Sequence, residues 1–327
     1  MGQGYQSGAV DRQDRNGIMK TLASLTLATC AALWFASASS SGQGVPAVDR
    51  ARLLEGSIDV HVHSYPDDRP RSIDAIDVAK LAQARKQRAI VLKNHYDSTA
   101  GLAYLVRKVV PGIDVFGGIA LNLTVGGINA AAVEHMAAVS GGWGRIVWMP
   151  TFDAENQVRT SKENRPFVSV TQNGELLPAV KDVIAVIAKR DLVLATGHSS
   201  PREGLLILRE AKRQGVQRLI VTHAMNTPVS MSVAEMQEAA GLGAFIEFVG
   251  GSLTGADAET RMNRYADAIH QIGPDFCVLS SDLGQQGNAL PPDGFGDFLV
   301  SLRRRGFTAQ DVDRMAKQNP ARLLGLP

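Results

Sequence analysis

The chain has 327 residues, of which 45% are hydrophobic and 20% are charged. This composition is typical of a globular protein, and the length suits a single α/β barrel of about 250 residues. The 34 basic and 32 acidic residues are mixed along the sequence and leave a formal charge of +2. Because nucleic-acid binding needs a clustered basic surface, we expect no nucleic acid as a partner and instead a small-molecule substrate.

The first 38 residues have the pattern of an exported protein. A polar, glycine-rich extension (residues 1–18) precedes a lysine, an apolar run (21–35) and the sequence Ala36-Ser37-Ala38. A basic residue, an apolar segment and an A-x-A site form a signal peptide, here with cleavage after Ala38. The run is shorter than the ~20 residues that span a bilayer. We therefore predict a periplasmic or secreted protein without a membrane span, an uncleaved anchor being the alternative.

The sequence contains two cysteines, Cys30 and Cys277. The sequence Leu27-Ala28-Thr29-Cys30 loosely resembles a lipobox, so a lipoprotein attached at Cys30 is a further alternative, weakened by the threonine. After cleavage at the predicted site Cys277 would remain alone, which excludes an internal disulfide. Cys277 opens an apolar stretch and is interpreted as a buried structural thiol.

Residues 39–56 are rich in Ser, Gly and Pro and are predicted to form a linker, while residues 57–327 alternate short apolar runs with helical patterns. The alternation indicates a parallel sheet in which each strand is followed by a helix. The predicted strands are 57–63, 89–95, 114–121, 145–151, 192–198, 218–223, 244–248 and 276–282. The predicted helices are 74–88, 100–109, 129–140, 176–189, 201–214, 232–240, 256–272 and 295–305.

Strands such as 90–92 and 219–221 are apolar without alternation, which is typical of strands covered on both faces. Eight such units favour a closed (β/α)8 barrel of the TIM type. An open doubly wound sheet is the alternative, disfavoured because no Gly-x-Gly-x-x-Gly turn follows the first strand.

Polar residues stand at the C-terminal ends of five predicted strands, the face that carries active sites in TIM barrels. Five of the seven histidines end predicted strands. The residues concerned are Asp59, His61 and His63 on strand one, Lys93 and His95 on strand two, His198 on strand five, His223 on strand six and Asp282 on strand eight.

This combination predicts a metal site. His61 and His63 are two residues apart, so both imidazoles leave the same face of their strand. A His-x-His pair alone is a weak signal, but several imidazoles and one carboxylate together suit zinc, or manganese or iron, with positions left for water. Asp282 can serve both as ligand and as catalytic base. Its alternative role is a helix cap.

The order of Asp59-Val60-His61-Val62-His63, His198, His223 and Asp282 resembles the amidohydrolase superfamily of metal-dependent hydrolases. The C-terminal segment 319–326 is similar to the helix and turn that follow the last strand in those enzymes, so the resemblance covers about residues 57–327. It implies His61 and His63 on one metal, His198 and His223 on a second or shared position, and Asp282 on the first metal as base.

Strand four departs from the pattern of the two-metal members, which carry a bridging carboxylated lysine or glutamate there. Its only candidate is Asp153. Lys93, which faces the same way as His95, could bridge if carboxylated, or could stay protonated and pair with Asp153 or a substrate carboxylate. The number of metal ions, one or two, stays open. Glu247 is interpreted as a partner that fixes a histidine tautomer or as a buried salt-bridge acid.

Two polar segments near this face could bind an anionic group. Residues 153–175 follow strand four as a long loop of the kind that forms lids, and they carry Arg159 and Arg165. The loop after strand one carries Arg69. A mobile, solvated loop is the alternative for the longer segment.

We expect hydrolysis of a C–N or C–O bond, in an amide, cyclic amide, ester or lactone, by a metal-activated water. Decarboxylation or phosphoester cleavage at the same site is the alternative. The motif that begins at Asp59 is also similar to the opening of the polymerase-and-histidinol-phosphatase family, which is consistent with phosphoester cleavage. A binding barrel without turnover is the non-enzymatic alternative. A homo-oligomer is compatible with the sequence.

Overall fold

The computed structural model describes residues 49–327. Eight parallel strands follow one another around a barrel in sequence order, and each pairs with the next. This confirms the predicted (β/α)8 fold, with each strand inside or overlapping its predicted range. The strands are β1 Ile58–Val62, β2 Ala89–Leu92, β3 Asp114–Ala120, β4 Gly144–Trp148, β5 Val193–Ala195, β6 Arg218–Val221, β7 Ala244–Val249 and β8 Cys277–Ser280.

Helices surround the barrel. They are α1 Arg50–Leu54, α2 Ala75–Ala84, α3 Ala100–Val109, α4 Ala130–Ala138, α5 Glu155–Thr160, α6 Pro178–Lys189, α7 Pro201–Arg213, α8 Val233–Gly241, α9 Ala258–Ile272, α10 Pro291–Arg304, α11 Ala309–Asp313 and α12 Asn319–Leu324, with a π-helical turn over Arg314–Gln318 before α12. Local sequence sets their starts. At α7 and α8 the side chains of Ser200 and Ser232 each cap the helix in a capping box with the glutamate three residues on.

The barrel closes at its C-terminal end. There the backbone N–H of Asp282 donates to the carbonyl of His61 at 2.9 Å, and the N–H of His63 donates to the carbonyl of Leu283 at 2.9 Å. The C-terminal ends of β1 and β8 are therefore hydrogen-bonded to each other, and these bonds fix His61 and His63 relative to Asp282.

Branched and aromatic side chains fill the interior of the barrel. They include Ile58, Val60, Val91, Phe116, Ile146, Trp148, Val193, Ile220 and Val278. A second apolar layer between strands and helices covers the other face of each strand. The apolar strands are thus buried on both sides, as their lack of alternation predicts, and the polar residues at their ends are confined to the rim.

Two segments differ from their predicted structure. Residues 153–175, expected to be an irregular loop, contain α5 and a two-stranded hairpin, Thr171–Gln172 with Glu175–Leu176. The predicted linker 39–56 includes α1, which Asp49 caps and which packs on α10 through the Arg50–Asp293 ion pair at 2.9 Å. In addition, α10 begins at Pro291, before the predicted 295, because proline is well accommodated in the first turn of a helix.

The predicted signal peptide, its cleavage after Ala38 and the lipobox at Cys30 lie outside the described residues and stay predictions. Between residues 49 and 327, no helix is both long enough and apolar enough to cross a membrane. Cys277 is fully buried at the start of β8, and burial raises the pKa of its thiol, as expected of a structural cysteine.

Candidate metal centre

The C-terminal ends of four strands bring the five predicted ligands together. His61 lies in β1 and His63 directly follows it. His198, His223 and Asp282 follow β5, β6 and β8. The four imidazoles are at most 6% exposed. His223 and Asp282 have φ values of 27° and 49°, a region that non-glycine residues adopt sparingly and that is enriched at functional sites.

His61, His63 and Asp282 form what we call the carboxylate half of the cluster. The Asp282 Oδ1 atom lies 3.1 Å from the Nε2 of His61 and 3.0 Å from the Nε2 of His63. Behind them, Nδ1 of His61 meets Glu247 at 3.0 Å and Nδ1 of His63 meets the carbonyl of Lys93 at 2.8 Å. When each Nδ1 donates a proton to these oxygens, the Nε2 lone pair of each histidine is free to bind a metal. Metal-binding histidines are commonly oriented by a hydrogen bond of this kind.

His198 and His223 form the second part, the histidine half. Their Nε2 atoms lie 3.1 Å apart. Nδ1 of His198 contacts Oε1 of Gln157 at 2.8 Å, whereas the buried Nδ1 of His223 has no hydrogen-bond partner within residues 49–327. No acidic side chain of this part of the chain forms an ion pair with either imidazole. The histidine half therefore offers two convergent nitrogens without a carboxylate.

The charged groups of the carboxylate half favour a bound cation. Burial alone would raise the pKa of Asp282, but the adjacent His61 and His63 hold it well below its usual range. Burial would likewise lower the pKa of His61, yet Asp282 and Glu247 raise it to about 9. The pKa of His63 is lowered to about 3 by burial. Two carboxylates around one imidazole thus stabilise a single positive charge, which a proton or a metal ion can supply.

Asp59 supports this arrangement from a buried position on β1. Its buried carboxylate accepts hydrogen bonds from the backbone N–H of Ser281 at 2.9 Å and of His61 at 3.2 Å. Burial raises the pKa of Asp59 to about 7. The aspartate of the Asp-x-His-x-His motif therefore links β1 to the segment that precedes Asp282, and it does not face the cavity as a ligand.

Lys93 and His95 line the cavity from β2. The Lys93 Nζ atom lies 3.0 Å from Nε2 of His61, and burial lowers the pKa of this amine to about 8. Nδ1 of His95 contacts Oγ1 of Thr151 at 2.9 Å, and its ring stacks on His63 with centroids 5.0 Å apart. Both residues are thus placed to contact a substrate or an ion.

Three predicted residues do not reach the cavity. The Asp153 carboxylate accepts hydrogen bonds from Arg165 at 2.7 Å and from the backbone of Leu123 at 2.9 Å. Asp153 is therefore neither a bridging ligand nor a partner of Lys93, because the chain turns away after β4. Arg165 is neutralised by this contact, and Arg159 pairs with Glu155 on α5. Arg159 and Arg165, predicted as anion contacts, therefore do not line this cavity, whereas Arg69 lies on its wall.

The cavity in front of the cluster has a volume of about 530 Å³, within the usual range for small-molecule sites. Several of its lining residues carried no signal in the sequence, because they lie in loops or, for Gln157, in the short helix α5, without apolar periodicity. They are Phe152, Gln157, Asn226, Thr227, Gln285 and Gln286. Of these, Asn226 is oriented by the hydroxyl of Tyr265, which donates to its Oδ1 atom.

Comparison with solved structures gives the same fold at low sequence identity. A probable dipeptidase, PvdM, from Pseudomonas aeruginosa aligns over 84% of this chain and 96% of its own at 12% identity, with a TM-score of 0.59. A mutant organophosphorus hydrolase from Deinococcus radiodurans covers 85% and 95% at 18% identity and 0.57. A putative 2-pyrone-4,6-dicarboxylic acid hydrolase from Pseudomonas putida covers 83% and 97% at 16% identity and 0.57. The (β/α)8 barrel that the sequence predicts is thus confirmed as the fold.

No curated protein matches the sequence. One family model, described as a family of unknown function (DUF6282), matches residues 56–247. The match covers more than half of the chain, from before β1 to β7, and includes His61, His63, His198 and His223 but ends before Asp282. The chain therefore belongs to the DUF6282 family of unknown function.

Proposed function

We propose that the protein is a metal-dependent hydrolase that cleaves a C–N or C–O bond of a small molecule, in an amide, cyclic amide, ester or lactone. The observation that carries the proposal is the convergence of four buried imidazole nitrogens and one carboxylate at the mouth of the barrel. The names of the structural neighbours, a dipeptidase and hydrolases of organophosphorus compounds and of a pyrone dicarboxylic acid, agree with it.

The donor set fits a divalent cation, and we propose zinc. Ligand atoms of His61, His63 and Asp282 all lie within 4.8 Å of one another, and nitrogen and carboxylate donors in a partly open site are typical of catalytic zinc. His198 and His223 offer two more nitrogens for the same ion or a second one. A bound cation supplies Lewis-acid polarisation of the substrate and makes water acidic enough to react near neutral pH.

The protein's own groups have separate roles in this reaction. Asp282, with its pKa held low, is ionised and can take the proton of the attacking water and pass it to the leaving group. Since Nδ1 of His95 is occupied by Thr151, its other nitrogen is left to contact the substrate. Lys93 can donate a hydrogen bond to a developing negative charge on an oxygen.

A substrate panel tests the proposal. The full chain, reconstituted with zinc, is assayed against amides, cyclic amides, esters and lactones, with phosphomonoesters and phosphotriesters as the comparison set and Asp282→Asn as the inactive control. Hydrolysis of a carbonyl substrate that disappears in the control supports the proposal. Activity confined to phosphoesters favours the phosphoesterase alternative, and full metal loading without turnover favours a binding barrel.

We also propose that the protein is exported, on the strength of the sequence pattern in residues 21–38. N-terminal sequencing of protein recovered from outside the cytoplasm is expected to begin at Ser39. Recovery of a chain that still carries the apolar segment would contradict cleavage after Ala38.

A further inference from the structure

The wall of the cavity is rich in positive charge. Its lining includes the side chains of Arg69, Arg71 and Lys93, and Asp282 is its one carboxylate residue among residues 49–327. Asp282 is already engaged by two histidines. The cavity lining therefore carries more positive than negative charge, and such a surface favours an anionic ligand.

Arg71 is neutralised by a neighbour. Its Nε donates to Oδ2 of Asp67 at 2.7 Å, and both side chains are at most 3% exposed. The backbone around Arg71 also pairs with Gln285 in an antiparallel bridge. The buried ion pair and this bridge fix the loop after β1 against the loop after β8, so the residues that project from it have defined positions.

Arg69 lies on the same loop but has no acidic partner. It forms no ion pair with any side chain in the described part of the protein, and its guanidinium lies over the ring of Phe152 at 4.0 Å from the ring centroid. A guanidinium stacked on an aromatic face keeps its N–H edge available for a carboxylate in its plane. Arg69 is thus oriented, charged and unpaired at the cavity wall.

A single aromatic ring separates Arg69 from the histidine cluster. Phe152, which carries Arg69 on one side, contacts His95 with ring centroids 3.9 Å apart and packs edge-on against His198 at 5.6 Å. A ligand that reaches both Arg69 and the cluster therefore needs only the length of a small molecule.

Resting on the proposed hydrolase function, we propose that the substrate is a short carboxylate-bearing compound, whose carboxylate binds Arg69 while its scissile bond faces the histidine cluster. Arg69 is then the specificity-determining residue. Neutral amides and lactones of the same size would bind weakly, because they leave the arginine without an acceptor.

Binding measurements test this without requiring turnover. Calorimetric titrations of the zinc-loaded full chain use α,ω-dicarboxylates from succinate to pimelate and, for each, its monoamide, which keeps one carboxylate for the cation and replaces the other by a neutral group. We expect at least one dicarboxylate to bind about 10- to 100-fold more tightly than its monoamide, as one charge-assisted bidentate contact provides.

Three variants test whether Arg69 causes the preference for dicarboxylates over monoamides. Arg69→Gln should abolish it, and Arg69→Lys should keep part of it. The matched control Arg159→Gln removes an arginine of α5 that lies outside the cavity and should leave the discrimination unchanged. Equal binding of both ligand types by the wild type, or unchanged discrimination in Arg69→Gln, overturns the proposal.

The outcome is separable from that of the substrate panel. Discrimination that depends on Arg69 in a protein without hydrolytic activity would retain the anion site and reject the hydrolase function. Hydrolysis of neutral substrates by a protein that does not discriminate between dicarboxylates and monoamides would retain the hydrolase function and reject the anion site.

Discussion

The imidazoles of the carboxylate half and of the histidine half have different hydrogen-bond partners at Nδ1. In the carboxylate half, Glu247 of β7 contacts His61, the backbone carbonyl of Lys93 directly after β2 contacts His63, and Asp282 adds a negative charge. In the histidine half, His198 depends on Gln157 of the short helix α5. We infer that contacts from the barrel strands preorganise His61 and His63, whereas His198, which is held from the short helix α5, can adapt its position. We therefore expect a first cation to bind tightly in the carboxylate half and a second one, if present, more weakly.

The largest effect is expected from removing one half at a time. His61→Ala/His63→Ala should eliminate tightly bound metal and activity, while His198→Ala/His223→Ala should retain one cation per chain. The loss in affinity in the first variant should exceed the roughly 10- to 100-fold contribution of supporting residues. Elemental analysis after dialysis measures both, with the exposed His135→Ala as control. Equal metal loss in both double variants would show that the halves are not independent.

Asp282→Asn should affect the reaction more than the fold. The amide preserves the shape of the side chain but cannot take a proton, so turnover at saturating zinc is expected to fall about 10²- to 10⁴-fold. Steady-state rates and circular dichroism measure the two properties. A variant that keeps wild-type turnover would remove Asp282 from the role of base.

Replacing Glu247 tests how the carboxylate half is supported. Glu247 contacts Nδ1 of His61, accepts from Ser280 at 2.7 Å and accepts from the backbone of His223 at 2.8 Å. Glu247→Gln should weaken zinc binding about 10- to 100-fold, as measured by chelator competition. The exposed Glu238→Gln is the matched control and should bind zinc like the wild type.

The smallest effect is expected for Gln157→Ala. It frees Nδ1 of His198 and should reduce turnover by about 10-fold, the lower limit for a supporting residue, without changing the affinity of the first cation. Competition with a chelator and steady-state rates separate these effects. A loss of the first cation in this variant would place His198 in the tight site and invert the comparison.

In both halves of the site, the sequence predicts the residues on the strands and at their ends better than the residues of the loops beyond them. Apolar runs determine where each strand ends, and residues such as His61 and His223 that close those runs must meet at the same rim. Glu247 lies inside β7, so its strand position was also predictable, and its contact with His61 fits both the tautomer-fixing and the salt-bridge interpretation.

Residues beyond the strand ends depend on loop conformation, which periodicity does not encode. Asp153 was a candidate ligand by position, but the backbone N–H groups of Thr151 and Asp153 donate to Oδ1 of Asn122, and the side chain of Asp153 pairs with Arg165. Gln157 lies in a polar segment with no apolar periodicity, so neither helix α5 nor its contact with His198 could be predicted. Asp49, in contrast, is a visible cap for α1, which the Ser- and Gly-rich composition upstream obscured.

Anomalous diffraction from crystals of the zinc-loaded protein tests the central claim most directly. We predict a strong peak at about 2.0–2.2 Å from Nε2 of His61, Nε2 of His63 and a carboxylate oxygen of Asp282, with any second peak at His198 and His223 weaker. Absence of zinc from the carboxylate half in crystals grown with excess metal would contradict both the metal centre and the hydrolase that we propose.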